Sequence, residues 1–109
     1  MPDHAKVVGP HELLARIASS TPPVVLDVRS AAEFAEGHVP GAKNIPFWAV
    51  AWRAGELGAR PDDPIVVYCG HGPRAQVAIA ALRARGFTRV ACLAGHMAQW
   101  REEGHAVER

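Results

Sequence analysis

A thiol stands at the junction of two differently patterned segments. Ile65-Val66-Val67-Tyr68 is an apolar run of strand length, Cys69 ends it, and Gly70-His71-Gly72-Pro73-Arg74-Ala75 follows. In open α/β sheets, ligands sit outside the carboxyl ends of the strands, so Cys69 is expected at that edge. Gly70 and Gly72 permit backbone angles that residues with a Cβ resist. A tight loop of this kind turns successive N–H groups inward as an anion-binding nest. The helix that begins at Pro73 adds the positive end of its dipole and its unpaired N–H groups. A cysteine so placed ionises at roughly 3.5–7.5 rather than about 8.5, and the thiolate is the nucleophile. The same cradle stabilises a persulfide anion once sulfur has been accepted. Its expected donors are the amides from Gly70 to Arg74, less Pro73, which pre-sets the helix start but carries no N–H. Arg74 adds a fixed positive charge with planar donors suited to an oxyanion such as thiosulfate.

The competing reading of Cys69 is a buried packing residue, since free cysteine is among the most buried types; the strand, glycine loop and helix around it argue for chemistry instead. Cys92, which alternates within a strand pattern, reads as packing. His71 lies inside the loop, either as a proton shuttle near neutral pH or as a solvent-facing side chain whose backbone N–H does the work. His96 is expected at the same sheet edge. Cys69, His71 and His96 lack the close spacings of a zinc site, so no metal is expected. Asp27 interrupts an apolar strand and needs a partner there; backbone or Arg29 supplies one, and Arg29 with Glu33 is a candidate ion pair. His38 belongs to a turn and reads as structural. Trp48 and Trp52 stand at helical spacing and are expected to cover the sheet.

The elements that must position these residues follow from the pattern of the chain. Strand-length apolar runs alternate with helical patterns throughout, which predicts an α/β domain with a mainly parallel sheet. Strands are expected at 5–8, 24–28, 42–45, 65–68 and 89–93. A helix opens at Gly9-Pro10 with Leu13, Leu14 and Ile17 facing the sheet, and Thr21-Pro22-Pro23 forbids its continuation. Ser30-Ala31-Ala32-Glu33 is a capping box for a short helix that Gly37 ends. Residues 47–54 read as helical and 55–64 as loop. The helix from Pro73 runs to Arg85, with Val77, Ala78, Ala81 and Leu82 on one face and Gly86 just past its end. A last helix after Gly95 buries Met97 and Trp100.

The whole chain of 109 residues fits one domain, residues 1–109, with one hydrophobic core. Its 49% hydrophobic and 21% charged residues describe a soluble globular protein. A formal net charge of +1 and scattered arginines give no basic stripe, so nucleic acid is not an expected partner. No apolar run is long enough to span a bilayer, and residues 1–9 hold no apolar stretch of the signal-peptide kind. Two cysteines without CxxC spacing suggest reduced thiols and a cytoplasmic setting.

From about Val8 to Trp100 the sequence resembles the rhodanese domain family. The matching residues are Leu26-Asp27-Val28-Arg29, Glu33-Phe34, Gly37-His38-Val39-Pro40-Gly41-Ala42 with Asn44-Ile45-Pro46, then Cys69 with Gly72 and Arg74-Ala75, and last Leu93, Gly95 and Trp100. The resemblance implies a three-layer α/β/α fold around a five-stranded parallel sheet. It also implies a sulfurtransferase cycle in which Cys69 takes sulfane sulfur from a donor and passes it to a nucleophilic acceptor, without metal or organic cofactor. Cys69 is then the catalytic residue, with Gly70, His71, Gly72 and Arg74 binding the substrate. Related phosphatases and arsenate reductases use a loop one residue longer; here Arg74 is five positions after Cys69, and the shorter loop suits a smaller anion. His96 stands where the family usually has a second glycine. The loop lacks the Gly-Val-Thr ending that resembles mercaptopyruvate-using members, so thiosulfate or a persulfide is the expected donor, and cyanide, a thiol or a protein the acceptor. Two alternatives stay open: a protein-to-protein sulfur relay module with little small-molecule turnover, and phosphatase or arsenate reductase chemistry.

Overall fold

Three runs without polar alternation form the centre of one parallel sheet: Val24–Asp27 (β2), Ile65–Tyr68 (β4) and Val90–Leu93 (β5). Such runs belong to strands covered on both faces. The computed structural model describes residues 6–109. Lys6–Val8 (β1) and Lys43–Asn44 (β3) close the two edges, giving the order β1-β5-β4-β2-β3 with every pairing parallel. The register sets Asp27 beside Tyr68 and Val67 beside Cys92. The expected five-stranded parallel sheet is therefore present; Ala5, at the expected start of the first strand, lies outside the described residues.

The helices Pro10–Ile17 (α1) and His96–Glu102 (α5) cover one face, burying Leu13, Met97 and Trp100 against Val25, Val66, Tyr68 and Leu93. The other face carries Val50–Arg53 (α3) and Pro73–Ala84 (α4), packed on Leu26, Ile65, Val67, Cys69, Val90 and Cys92. Each fully buried large side chain contributes roughly 1.5–3 kcal/mol of transfer free energy. The short helix Ala31–Glu36 (α2) follows β2 and buries none of its residues fully. Its capping box forms as expected: Ser30 accepts from the Glu33 amide, and the Glu33 carboxylate accepts from the Ser30 amide.

Two expected faces are corrected. On α4 the inward stripe is Ala75, Ala78, Ile79 and Leu82, while Val77 is 51% exposed; the helix is rotated so that Ala75 and Ile79 face inward in place of the expected Val77. Trp48 and Trp52 do not cover the sheet. They are 61% and 64% exposed and rest on each other with ring centroids 6.0 Å apart. The segment winds as a 3₁₀ turn (47–49), α3, and a second 3₁₀ turn (54–57). The changing pitch turns Ala49, Val50, Ala54 and Leu57 inward and leaves both indoles outside.

Asp27, wholly buried, accepts from the Arg29 amide at 2.8 Å and from the Arg29 guanidinium at 2.7 and 3.1 Å. Arg29 donates further to the Gly37 carbonyl at 2.8 Å and lies 5.7 Å from the centre of the Tyr68 ring. The Tyr68 hydroxyl in turn accepts from the Val39 amide at 3.0 Å. This polar knot ties the end of β2 to the turn after α2. The structural role expected for Asp27 is met, but the pairing of Arg29 with Glu33 is not: Glu33 points elsewhere. His38 is structural, stacked on Phe34 with its Nδ1 2.8 Å from the Phe34 carbonyl.

Candidate active site

β4 ends at Tyr68, and the chain turns over Gly70 to Gly72 before α4 begins. Gly72 has φ of +131°, a conformation that L side chains rarely adopt, and it brings the Gly72 N–H to 2.9 Å from the Cys69 sulfur. The amides of His71 and Ala75 also favour the anionic form of the sulfur. These donors lie at the loop and at the third position of α4, where helix N–H groups have no internal partner. Of the amides expected from Gly70 to Arg74, that of Gly72 reaches the sulfur and that of His71 favours its anion. Those of Gly70 and Arg74 are not among the groups that lower the thiol, while that of Ala75, beyond the expected set, is. It is legible in principle, because a helix opening at Pro73 leaves its first N–H groups free whichever residues carry them.

The second wall of the site is the start of α5. The amides of Met97 and Ala98 donate to the carbonyls of Cys69 and Gly70 at 3.0 and 3.1 Å, which clasps the loop from the side opposite α4. His96, 8% exposed, accepts from the Cys69 amide through Nδ1 at 3.2 Å. Burial pushes the Cys69 thiol up, but the His96 ring and the amides of Ala75, Gly72 and His71 together bring it down to about 7. For Cys92 burial wins and the thiol is raised, as its packing position in β5 predicts.

Arg74 reaches across to α2. Its Nη1 donates to Glu33 Oε1 at 2.7 Å and its Nη2 to Oε2 at 3.2 Å. The guanidinium lies against the loop, 3.1 Å from where a Cβ on Gly70 would stand. Glu33, held by Arg74 and by Ser30, has its carboxyl lowered to about 2. Arg74 is therefore oriented, and its charge is partly offset, by a carboxylate that local sequence does not assign to it. The His71 side chain is exposed while its amide faces the sulfur, so its backbone is the part brought to the site.

The thiol is more enclosed than a residue at an open edge: Cys69 has 0% exposure. It belongs to the apolar cluster beneath α4, and its polar neighbours are the Gly72 amide at the sulfur and the His96 ring at its backbone N–H. The grooves lined by Lys6, Arg16 and Arg89 lie at the amino ends of the strands, away from this site. Among the described residues no helix is long and apolar enough to cross a membrane.

Comparison with known proteins agrees with this architecture. The chain is 31% identical over 97 residues to a sulfurtransferase of Allochromatium vinosum, covering 89% of each chain. It is 40% identical over 78 residues to thiosulfate sulfurtransferase GlpE of Pseudomonas putida, covering 72% of this chain and 69% of the relative. Its fold superposes on the crystal structure of the Alr3790 protein from Anabaena with a TM-score of 0.83 at 29% identity, over 93% of this chain and 90% of that one. The model of the rhodanese-like domain matches residues 9–103. The chain belongs to the rhodanese-like domain family.

Proposed function

We propose that the protein is a sulfurtransferase that carries sulfane sulfur on Cys69, with thiosulfate as a competent donor. The observation that carries this reading is the Cys69 sulfur held 2.9 Å from the Gly72 amide inside a cradle of inward N–H groups. A thiolate there attacks the outer sulfur of thiosulfate. A new S–S bond forms to Cys69, the bond within thiosulfate breaks, and sulfite leaves with its electron pair. An acceptor such as cyanide, a thiol or a protein nucleophile then attacks the terminal sulfur, and the pair returns to the Cys69 thiolate. No oxidant or cofactor enters the balance. The amides of His71, Gly72 and Ala75 hold the anion in both states, as fixed dipoles at a helix start do.

The test is intact-mass spectrometry after incubation with thiosulfate. Gain of one sulfur atom, mapped to the peptide containing Cys69, supports the reading; no gain, or gain at Cys92, overturns it. Turnover of an aryl phosphate by the same protein also counts against it. Arg74, set beside the loop by Glu33, is proposed to meet the sulfonate oxygens of the donor. Arg74→Ala is expected to raise KM for thiosulfate about 10-fold in a cyanide assay, the worth of one charge-assisted contact. It should shift stability by less than about 1 kcal/mol, because the ion pair with Glu33 is partly exposed.

A relay reading draws on the full burial of Cys69. On this reading a docking protein displaces the loop and so uncovers the thiol for transfer. Negligible turnover on free thiosulfate, together with one sulfur gained from a persulfidated protein donor, is the result that favours the relay.

A further inference from the structure

His96 is the one non-glycine residue with positive φ among the described residues, at +53°. That conformation costs a residue with a side chain, and it is retained where surrounding structure over-determines it. Here a glycine would satisfy the backbone at no cost. The side chain must therefore be read for what it does. The ring is buried, and its Nδ1 accepts the Cys69 amide at 3.2 Å. A neutral imidazole that accepts at Nδ1 carries its proton on Nε2. That nitrogen faces the loop: a Cβ on Gly72 would lie 3.4 Å from it, and the Gly72 amide is itself 2.9 Å from the sulfur. The ring is also among the groups that lower the Cys69 thiol. Because Nδ1 is occupied as an acceptor, the donor to an anionic sulfur has to be Nε2–H.

The loop is short of one amide donor. Pro73 sits at the first position of α4 and has no N–H to turn toward the sulfur. The amides that do so come from His71, Gly72 and Ala75. We propose that His96, held by the Cys69 amide in its Nε2–H tautomer, is a catalytic hydrogen-bond donor to the Cys69 sulfur anion and replaces the donor that Pro73 removes from the cradle. The inference deepens the sulfur-carrier reading and rests on it for its catalytic meaning. Its physical content, a donor to the thiolate, is testable without any sulfur transfer.

Three variants separate the roles of the two ring nitrogens. His96→Asn suits the left-handed backbone and keeps an acceptor near the position of Nδ1, but has no group at Nε2. His96→Gly removes both and relieves the backbone. His96→Gln places an amide nitrogen near the position of Nε2. The readout is the thiolate absorbance of Cys69 against pH, with Cys69→Ala subtracted to remove Cys92. Arg74, Glu33 and Cys92, the other ionisable groups near the sulfur, are the same in all variants. The expected result is a midpoint raised by about one pH unit in the Asn and Gly variants, with a roughly 10-fold lower thiolate fraction below the midpoint, and at least half of the shift recovered in Gln. The wild-type midpoint retained in Asn and Gly variants that melt cooperatively overturns the proposal, and sulfur uptake by Cys69 in those same variants leaves the carrier reading standing. If neither variant folds, the wild-type protein decides: nitrogen NMR of the His96 ring must show the Nε2–H tautomer, and an Nδ1–H tautomer overturns the proposal.

Discussion

Cys69→Ala is expected to lower transfer of sulfur from thiosulfate to cyanide by at least about 10³-fold, since the nucleophile and the covalent carrier are lost together. The variant should still fold. Only a sulfur atom is removed from the end of β4, and the clasp between α5 and the loop uses the Cys69 and Gly70 carbonyls, which remain. Measured activity within 10-fold of wild type would remove Cys69 from the mechanism. The wild-type rate should follow the thiolate. With the thiol lowered to about 7 from an ordinary value near 9, activity rises as pH increases through about 7 and levels off above it. The same shift is a term in stability. An acid whose folded value is depressed stabilises the fold fully above its ordinary value, near pH 9, and loses that contribution as pH falls through about 7. Cys69→Ala should remove this sloping part of a stability–pH curve, which equilibrium unfolding at several pH values will show.

Asp27→Asn is expected to cost about 3–5 kcal/mol, the penalty for leaving a buried cation without its anion. Arg29 and Asp27 are both buried, and Asp27 takes bonds from the Arg29 amide as well as its guanidinium. For a domain of this size the loss is a large part of total stability, and it corresponds to a fall in Tm of roughly 15 °C or more. Adding Arg29→Met should recover part of the loss, because the orphaned charge is then gone, so the two effects will not add. Thermal unfolding of the single and double variants decides the matter. A single-variant cost near 0.5 kcal/mol would mean that solvent reaches Arg29 and that the knot does not hold β2 to the turn after α2.

Sequence pattern is informative where the cause of structure is local. The run Ile65 to Tyr68, the glycines after Cys69 and the proline at the head of α4 lie within ten residues of one another, and they suffice to place a thiol in a ring of amides. The capping box of Ser30 and Glu33 is likewise three residues long. The other half of Glu33's role is not local. Its partner Arg74 is 41 residues away, and nothing near Glu33 distinguishes it from an ordinary capping residue. The nearer candidate, Arg29, is drawn off by Asp27 two residues before it. The indoles of Trp48 and Trp52 share a side, as a spacing of four implies, but spacing does not say which side faces the sheet. The alternation of 3₁₀ and α turns around α3 decides that, and periodicity assumes a constant pitch. In α4 two of the four inward positions are alanines, so the apolar stripe has little contrast, and Val77 reads as core when it is surface. His96 is placed correctly at the sheet edge by its position after β5. Its contact with the Cys69 amide, 27 residues distant, depends on β4 and β5 being neighbours.

The strand order has a consequence for how the molecule is made. β1 pairs only with β5, Lys6 beside Ala91 and Val8 beside Leu93. Synthesis from the amino end therefore produces one border of the sheet long before the strand that receives it, and Val7 stays largely uncovered even once seated. Closing that border requires the chain to have emerged past Leu93, so this edge is assembled late and stays unpaired in the meantime.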